Sequence, residues 1–138
     1  MKFGGSHRGS LIVSMPRASF LTLFFRPFYL QVGYAYAGAY SSRKAYDWTA
    51  TTSIYIDKEC RRQGIGSLLY DELEKRLKDW GIVNLLAGVA SCEEEDEYLS
   101  NDSSRFHISK GYVQVAHMKA VGKKFDRWYD LLWFQKRI

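Results

Sequence analysis

The chain has 138 residues, 46% of them hydrophobic and 25% charged, with a formal net charge of +5. That length suits one domain with a real core, and the composition is too ordinary for a disordered or fibrous chain. No apolar stretch approaches the ~20 residues of a membrane-spanning helix, so none is expected. Cys60 and Cys92 are too few for a disulfide scaffold and show no metal or redox spacing, so free thiols in a reducing cytoplasm are expected.

The charge is unevenly placed. Residues 1–46 hold six Lys/Arg and no acidic residue, while residues 47–138 balance to −1. A basic third of this kind is compatible with nucleic-acid or membrane contact, or with an atypical leader over residues 1–30. Met1 to Ser19 mixes Gly, Ser and Arg without a sustained period. A strand from Phe20 to Leu30 is expected.

From Gln31 the pattern becomes regular. Val32–Ala37 alternates aromatic and small residues and predicts a strand, and Trp48–Ile56 predicts a second, paired antiparallel to it through the polar loop 38–47. Ile65, Leu68, Leu69, Leu73, Leu77 and Trp80 recur at helical spacing, with Gly81 as the stop. Glu72 with Arg76 and Glu74 with Lys78 fall at i,i+4 on its wet face. Val83–Val89 predicts a buried strand. Glu93-Glu94-Glu95-Asp96-Glu97 is read as a solvated helix N-terminus, since adjacent carboxylates do not converge on a metal. A helix through Phe106 should stop near Gly111. Tyr112–Val121 and Trp128–Lys136 predict two closing strands joined by residues 122–126.

Between the second strand and the first helix lies Arg61-Arg62-Gln63-Gly64-Ile65-Gly66-Ser67. Two glycines at a helix mouth let backbone approach a ligand, and the free first-turn amides favour an anion such as a pyrophosphate. The bland alternative is a tight turn. The stretch lacks the Gly-Lys-Ser/Thr of a nucleotide P-loop and the third glycine of a dinucleotide fingerprint.

Arg61-x-x-Gly64-x-Gly66 resembles the acyl-CoA motif of the GNAT N-acetyltransferases, Arg/Gln-x-x-Gly-x-Gly/Ala. Ser103-x-x-Phe106-His107-x-x-x-Gly111-Tyr112 resembles their second signature. Tyr34–Ala37, Tyr46-Asp47-Trp48 and residues 121–130 look like the phosphinothricin acetyltransferase-like branch, which acetylates small amino-acid analogues. The likeness runs from Val32 to Ile138. It implies an α/β (α+β) fold with a mixed, mostly antiparallel sheet flanked by helices. The architecture is expected to be N-terminally abbreviated, with the GNAT-like domain over residues 31–138.

The resemblance implies acetyl-CoA as donor, a small primary amine as acceptor, and no metal. It places the pyrophosphate on Arg61, Arg62, Gln63, Gly64, Ile65, Gly66 and Ser67, and the pantetheine arm on backbone groups of Ile54, Tyr55 and Ile56. Ser103 joins this set. The branch's usual glutamate, which would deprotonate the amine, falls at Thr51, and a hydroxyl has no useful basicity there. His107 stands where many family members carry an acid toward the departing thiolate, and its ordinary pKa near 6.5 permits that role. The alternative is a structural histidine bonded to nearby backbone. Tyr98 reads as a core or groove aromatic, while His7 and His117 carry no signal. Two rivals remain: a degenerate acyl-CoA binder of the same fold, motivated by Thr51, and a basic module touching nucleic acid or membrane through residues 2–44. No nucleic-acid motif supports the second. A homodimer is left open.

Overall fold

The computed structural model describes residues 10–14, 21–26, 31–95 and 99–138; the side chains of Ser10–Ser14 and Arg26 are outside it. Tyr98 and His7 therefore fall outside the described residues. The elements run β1 (Ser10–Ser14), β2 (Leu21–Arg26), β3 (Gly33–Ala39), β4 (Thr49–Ile56), α1 (Ile65–Asp79), β5 (Asn84–Ser91), α2 (Asp102–Ser109), β6 (Val113–Lys124) and β7 (Arg127–Arg137). They form two compact units, one from residues 1–39 and 52–81, the other from residues 40–51 and 82–138. β4 starts in the second and ends in the first.

In the first unit the strand order is β1-β2-β3-β4. β1 pairs antiparallel with β2, and β2 with β3. The strand β1 was not legible in the sequence, where the region showed no period. β2 covers Leu21–Arg26 of the strand expected from Phe20 to Leu30, whose other residues lie outside the described ones. Its alternation puts Leu21, Leu23 and Phe25 on the face covered by α1. Ala37 and Ala35 stand directly opposite Leu21 and Leu23, so large residues meet small ones and the helix can approach. The other face carries Phe24, Tyr34, Tyr36 and Tyr55, with Tyr34 stacked on Tyr55 at 5.5 Å.

α1 buries Leu69, Tyr70, Leu73 and Leu77. The expected stripe is corrected at its margins: Leu68 and Trp80 are exposed, and Tyr70 takes the place between them. Tyr70 donates its hydroxyl to Thr52 Oγ1 at 3.3 Å, giving the buried polar tip a partner. Glu72 and Arg76 form the expected i,i+4 pair at 2.6 Å.

In the second unit the order is β4-β5-β7-β6. The β4–β5 pairing is parallel and joins Thr49–Thr51 to Asn84–Leu86. β5 pairs antiparallel with β7 from Asn84↔Arg137 to Ser91↔Asp130, and β7 with β6. α2 packs on β5 and β6. Leu85, Ala87, Val89, Leu132, Phe134 and Tyr112 are buried.

Two expectations change here. The closing connection is not residues 122–126: Gly122, Lys123 and Lys124 belong to β6, and only Phe125 and Asp126 turn, both at positive φ (51° and 56°). That signature fits a two-residue hairpin whose twist matches its strands. The acidic run also does not open the helix, which begins at Asp102. Glu95 reaches forward instead, accepting from the Asn101 amide at 2.9 Å and pairing with Arg105 at 2.7 Å.

Candidate active site

The loop between β4 and α1 lies wholly in the first unit. Asp57 accepts from the Glu59 amide at 3.0 Å and opens a single 3-10 turn over Lys58–Cys60. Gln63 Nε2 donates to the Glu59 carbonyl and Arg61 Nε to the Ile56 carbonyl, each at 3.4 Å. Arg62 sits at φ 60° and Gly64, the N-cap of α1, at φ 81°. Left-handed backbone costs glycine little, and it turns the chain sharply into the helix. A Cβ built on Gly64 would meet nothing within 4 Å, so the space beside it is open.

The first helical bond of α1 runs from Leu68 N to Gly64 O at 3.0 Å. The N–H groups of Gly64, Ile65, Gly66 and Ser67 therefore precede any intrahelical acceptor and form the positive end of the helix dipole. Arg61, Arg62 and Gln63 are exposed beside them. These residues fit a bound phosphate chemically: donors without helical partners, open space, and cationic side chains. Ile54, Tyr55 and Ile56 lead straight into this loop. The Ile56 carbonyl already accepts from Arg61, so its free capacity is reduced.

The remaining candidates lie in the second unit. Thr51 stands opposite Leu86 in the parallel ladder. Leu86 lies between Leu85 and Ala87, which face α2, so Thr51 and Leu86 share the face away from that helix. His107 is on α2 and stacks on Phe134, the partner of Ala87, with Tyr112 and Phe106 edge-on. Thr51 and His107 thus occupy opposite faces of the sheet and are not brought together. His107 is 2% exposed, and its Nδ1 lies 2.7 Å from the Ser103 carbonyl. A carbonyl only accepts, so Nδ1 carries the proton. Burial pushes its pKa below the usual histidine value, with the Ser103 bond opposing. This geometry favours the structural alternative for His107. Ser103 is exposed in the first turn of α2 and enters the contact through its backbone oxygen.

Two side-chain groups escaped the sequence reading. Gln135 donates to Asn84 Oδ1 at 2.7 Å, and Asn84 donates to Thr49 Oγ1 at 3.3 Å, a chain crossing three strands next to Thr51. His117 Nε2 lies 2.6 Å from Asp130 Oδ2, whose other oxygen accepts from the Ala120 amide at 2.8 Å. No spacing rule could have found either, because both depend on strand register. The second also depends on the irregularity of β6 between Met118 and Gly122, where Ala120 has φ 50°.

A family model described as an acetyltransferase (GNAT) domain matches residues 30–133. The chain belongs to the GNAT acetyltransferase family. It is 34% identical over 105 residues to the phosphinothricin N-acetyltransferase of Streptomyces viridochromogenes, covering 75% of this chain and 53% of that protein. It is 31% identical to an L-amino acid N-acyltransferase of Escherichia coli over 106 residues, 77% of this chain and 58% of that one. Among solved structures, a GNAT superfamily phosphinothricin acetyltransferase from Sinorhizobium meliloti, in complex with AcCoA, superposes with a TM-score of 0.74 at 29% identity. That match covers 86% of this chain and 60% of the other. The fold is therefore the GNAT fold, and the chain spans about half the length of the curated relatives it matches.

Proposed function

We propose that this GNAT chain moves an acetyl group from acetyl-CoA to the primary amine of a small amino-acid-like molecule. The observation that carries the proposal is the mouth of α1: Gly64 left-handed and uncrowded, followed by amides that no helical carbonyl satisfies. The amides of Gly64, Ile65, Gly66 and Ser67 would hold the pyrophosphate, with Arg61 and Arg62 adding positive field and Gln63 bracing the turn. Ile54 and Tyr55 would offer backbone to the pantetheine arm, and Ser103 would stand at the other helix mouth. The relatives named for phosphinothricin and L-amino acids support the acceptor class.

The reaction makes a C–N bond to the acetyl carbon and breaks the C–S bond. The amine gives up its proton and the departing thiolate gains one. An amine with a pKa near 10 is mostly ammonium at neutral pH, so deprotonation limits its attack unless a base assists. Thr51, in the place of the branch's glutamate, can hold a hydrogen bond but not take that proton. His107 is enclosed among Phe106, Tyr112 and Phe134 and serves the packing of α2 rather than proton transfer.

Slow transfer that rises with alkaline pH follows, as free amine accumulates. Thiol release from acetyl-CoA against a panel of small amines, from pH 6 to 10, is the test. Thr51→Glu should raise kcat by about 10²-fold or more, the usual worth of a general base, with acetyl-CoA affinity little changed. A fast native rate with a flat pH profile would mean another base serves. No turnover by either protein, with acetyl-CoA still bound, would leave a binding protein of the same fold.

A further inference from the structure

α1 lies mainly against β2 and β3, yet the strand that leads into its mouth is β4. A polar link joins that helix to that strand. Tyr70 of α1 donates its hydroxyl to Thr52 Oγ1 of β4 at 3.3 Å, across 18 residues of sequence. Both residues are buried, so neither hydroxyl can exchange the bond for water without opening the packing. Burial pushes the Tyr70 phenol well above its ordinary pKa, so it keeps the proton that it donates. Apolar burial is non-directional, whereas a hydrogen bond fixes a distance and an angle.

The segment this bond encloses contains the whole loop after β4 and the first turn of α1. The strand side of the loop is fixed separately. The Asp57 amide donates to the Val32 carbonyl at 2.9 Å. β3 also runs so close to the end of β4 that a Cβ on Gly33 would lie 2.6 Å from Ile56 Cδ1 and 3.0 Å from the Tyr55 carbonyl oxygen. On the helix side, Tyr70 stands about 9 Å along the axis from Gly64, where its hydroxyl ties α1 back to β4. Several amides grip one anion only if they are held within about 0.5 Å of a common geometry.

We propose that Tyr70 and Thr52 are positioning residues for acetyl-CoA: their bond holds the amides of Gly64 to Ser67 in the geometry that grips its pyrophosphate. The inference rests on the reading of this loop as the acetyl-CoA site. Without the bond the mouth of α1 samples other placements, and the apparent dissociation constant rises by the inverse of the fraction still competent. One neutral hydrogen bond can bias that fraction by about fivefold.

The test uses the full chain with Tyr70→Phe, Thr52→Val, the two together, and Thr52→Ser, each checked for a cooperative urea transition. Calorimetric titration of acetyl-CoA should give a dissociation constant about fivefold higher for Tyr70→Phe and for Thr52→Val. The double variant should be no worse than either, because both changes remove the same bond. Thr52→Ser keeps the acceptor and should bind as the wild type does. Without ligand, the backbone amide resonances of Gly64, Gly66 and Ser67 should move in Tyr70→Phe and stay in place in Thr52→Ser. Lower urea stability with dissociation constants within about twofold of wild type would overturn the proposal, since a bond that only supports the fold moves stability alone. Unmoved amide resonances, effects that multiply in the double variant, or a Thr52→Ser protein that binds like Thr52→Val would overturn it too. Wild type that binds no acetyl-CoA would defeat the proposed function and this role with it, whereas wild-type binding matched by Tyr70→Phe defeats this role alone.

Discussion

His107 shows how a residue's place in a family motif and its place in a core can point different ways. Its ring is stacked on Phe134, edge-on to Phe106 and Tyr112, with its proton held by the Ser103 carbonyl, and burial favours its neutral form in the fold. Because the folded-state pKa is lowered, its neutral form stabilises the fold fully above the unfolded value of about 6.5. That contribution is lost as pH falls below that value, since the unfolded chain takes up a proton the fold resists. Urea denaturation at pH 7.5 and 5.5 should show the wild type less stable at the lower pH. His107→Leu should reduce that difference, though it gives up the Ser103 bond. An unchanged pH dependence in the variant would place the titration elsewhere. Thr51 is the opposite case: its chemistry was plain from the letter alone, and the structure added only which face of the sheet it occupies.

Among the elements, the β6–β7 turn is the least economical. Phe125 and Asp126 both adopt positive φ, which disfavours any side chain and phenylalanine especially. Asp126→Gly should stabilise the chain by about 1 kcal/mol, seen as a raised melting temperature. A lower melting temperature would show that the Lys123–Asp126 contact at 3.7 Å outweighs the backbone strain. This turn also explains what the sequence hid. Gly122 looked like the start of the connection, yet it sits within β6 opposite Tyr129, while the true turn has no turn-forming glycine. α1 was legible because its signals are local: glycines at its mouth, apolar residues at helical spacing, and Gly81 beyond its end. The exchange of Tyr70 for Leu68 and Trp80 on its buried face was not, because only the sheet beneath decides which margin is covered. β1 was illegible for the same reason, being five residues that gain their partners from β2.

At the scale of the whole molecule, the order of elements from β3 onward was readable from alternation, helical spacing and three separated motifs. The GNAT family follows from the match over residues 30–133. What the sequence could not supply was register. The Gln135–Asn84–Thr49 chain, the His117–Asp130 pair and the separation of Thr51 from His107 all arise from which strand residues stand opposite each other. The proposed activity needs the loop from Arg61 to Ser67 to hold acetyl-CoA. Isothermal titration calorimetry of acetyl-CoA into wild type and Gly66→Trp, both verified as folded, tests it most directly. Saturable binding by the wild type, matched by a thermal shift that grows with ligand concentration, and its loss in Gly66→Trp are the predicted results. Folded wild type that binds no acetyl-CoA at millimolar concentration, or a Gly66→Trp protein that binds as well as the wild type, would contradict it.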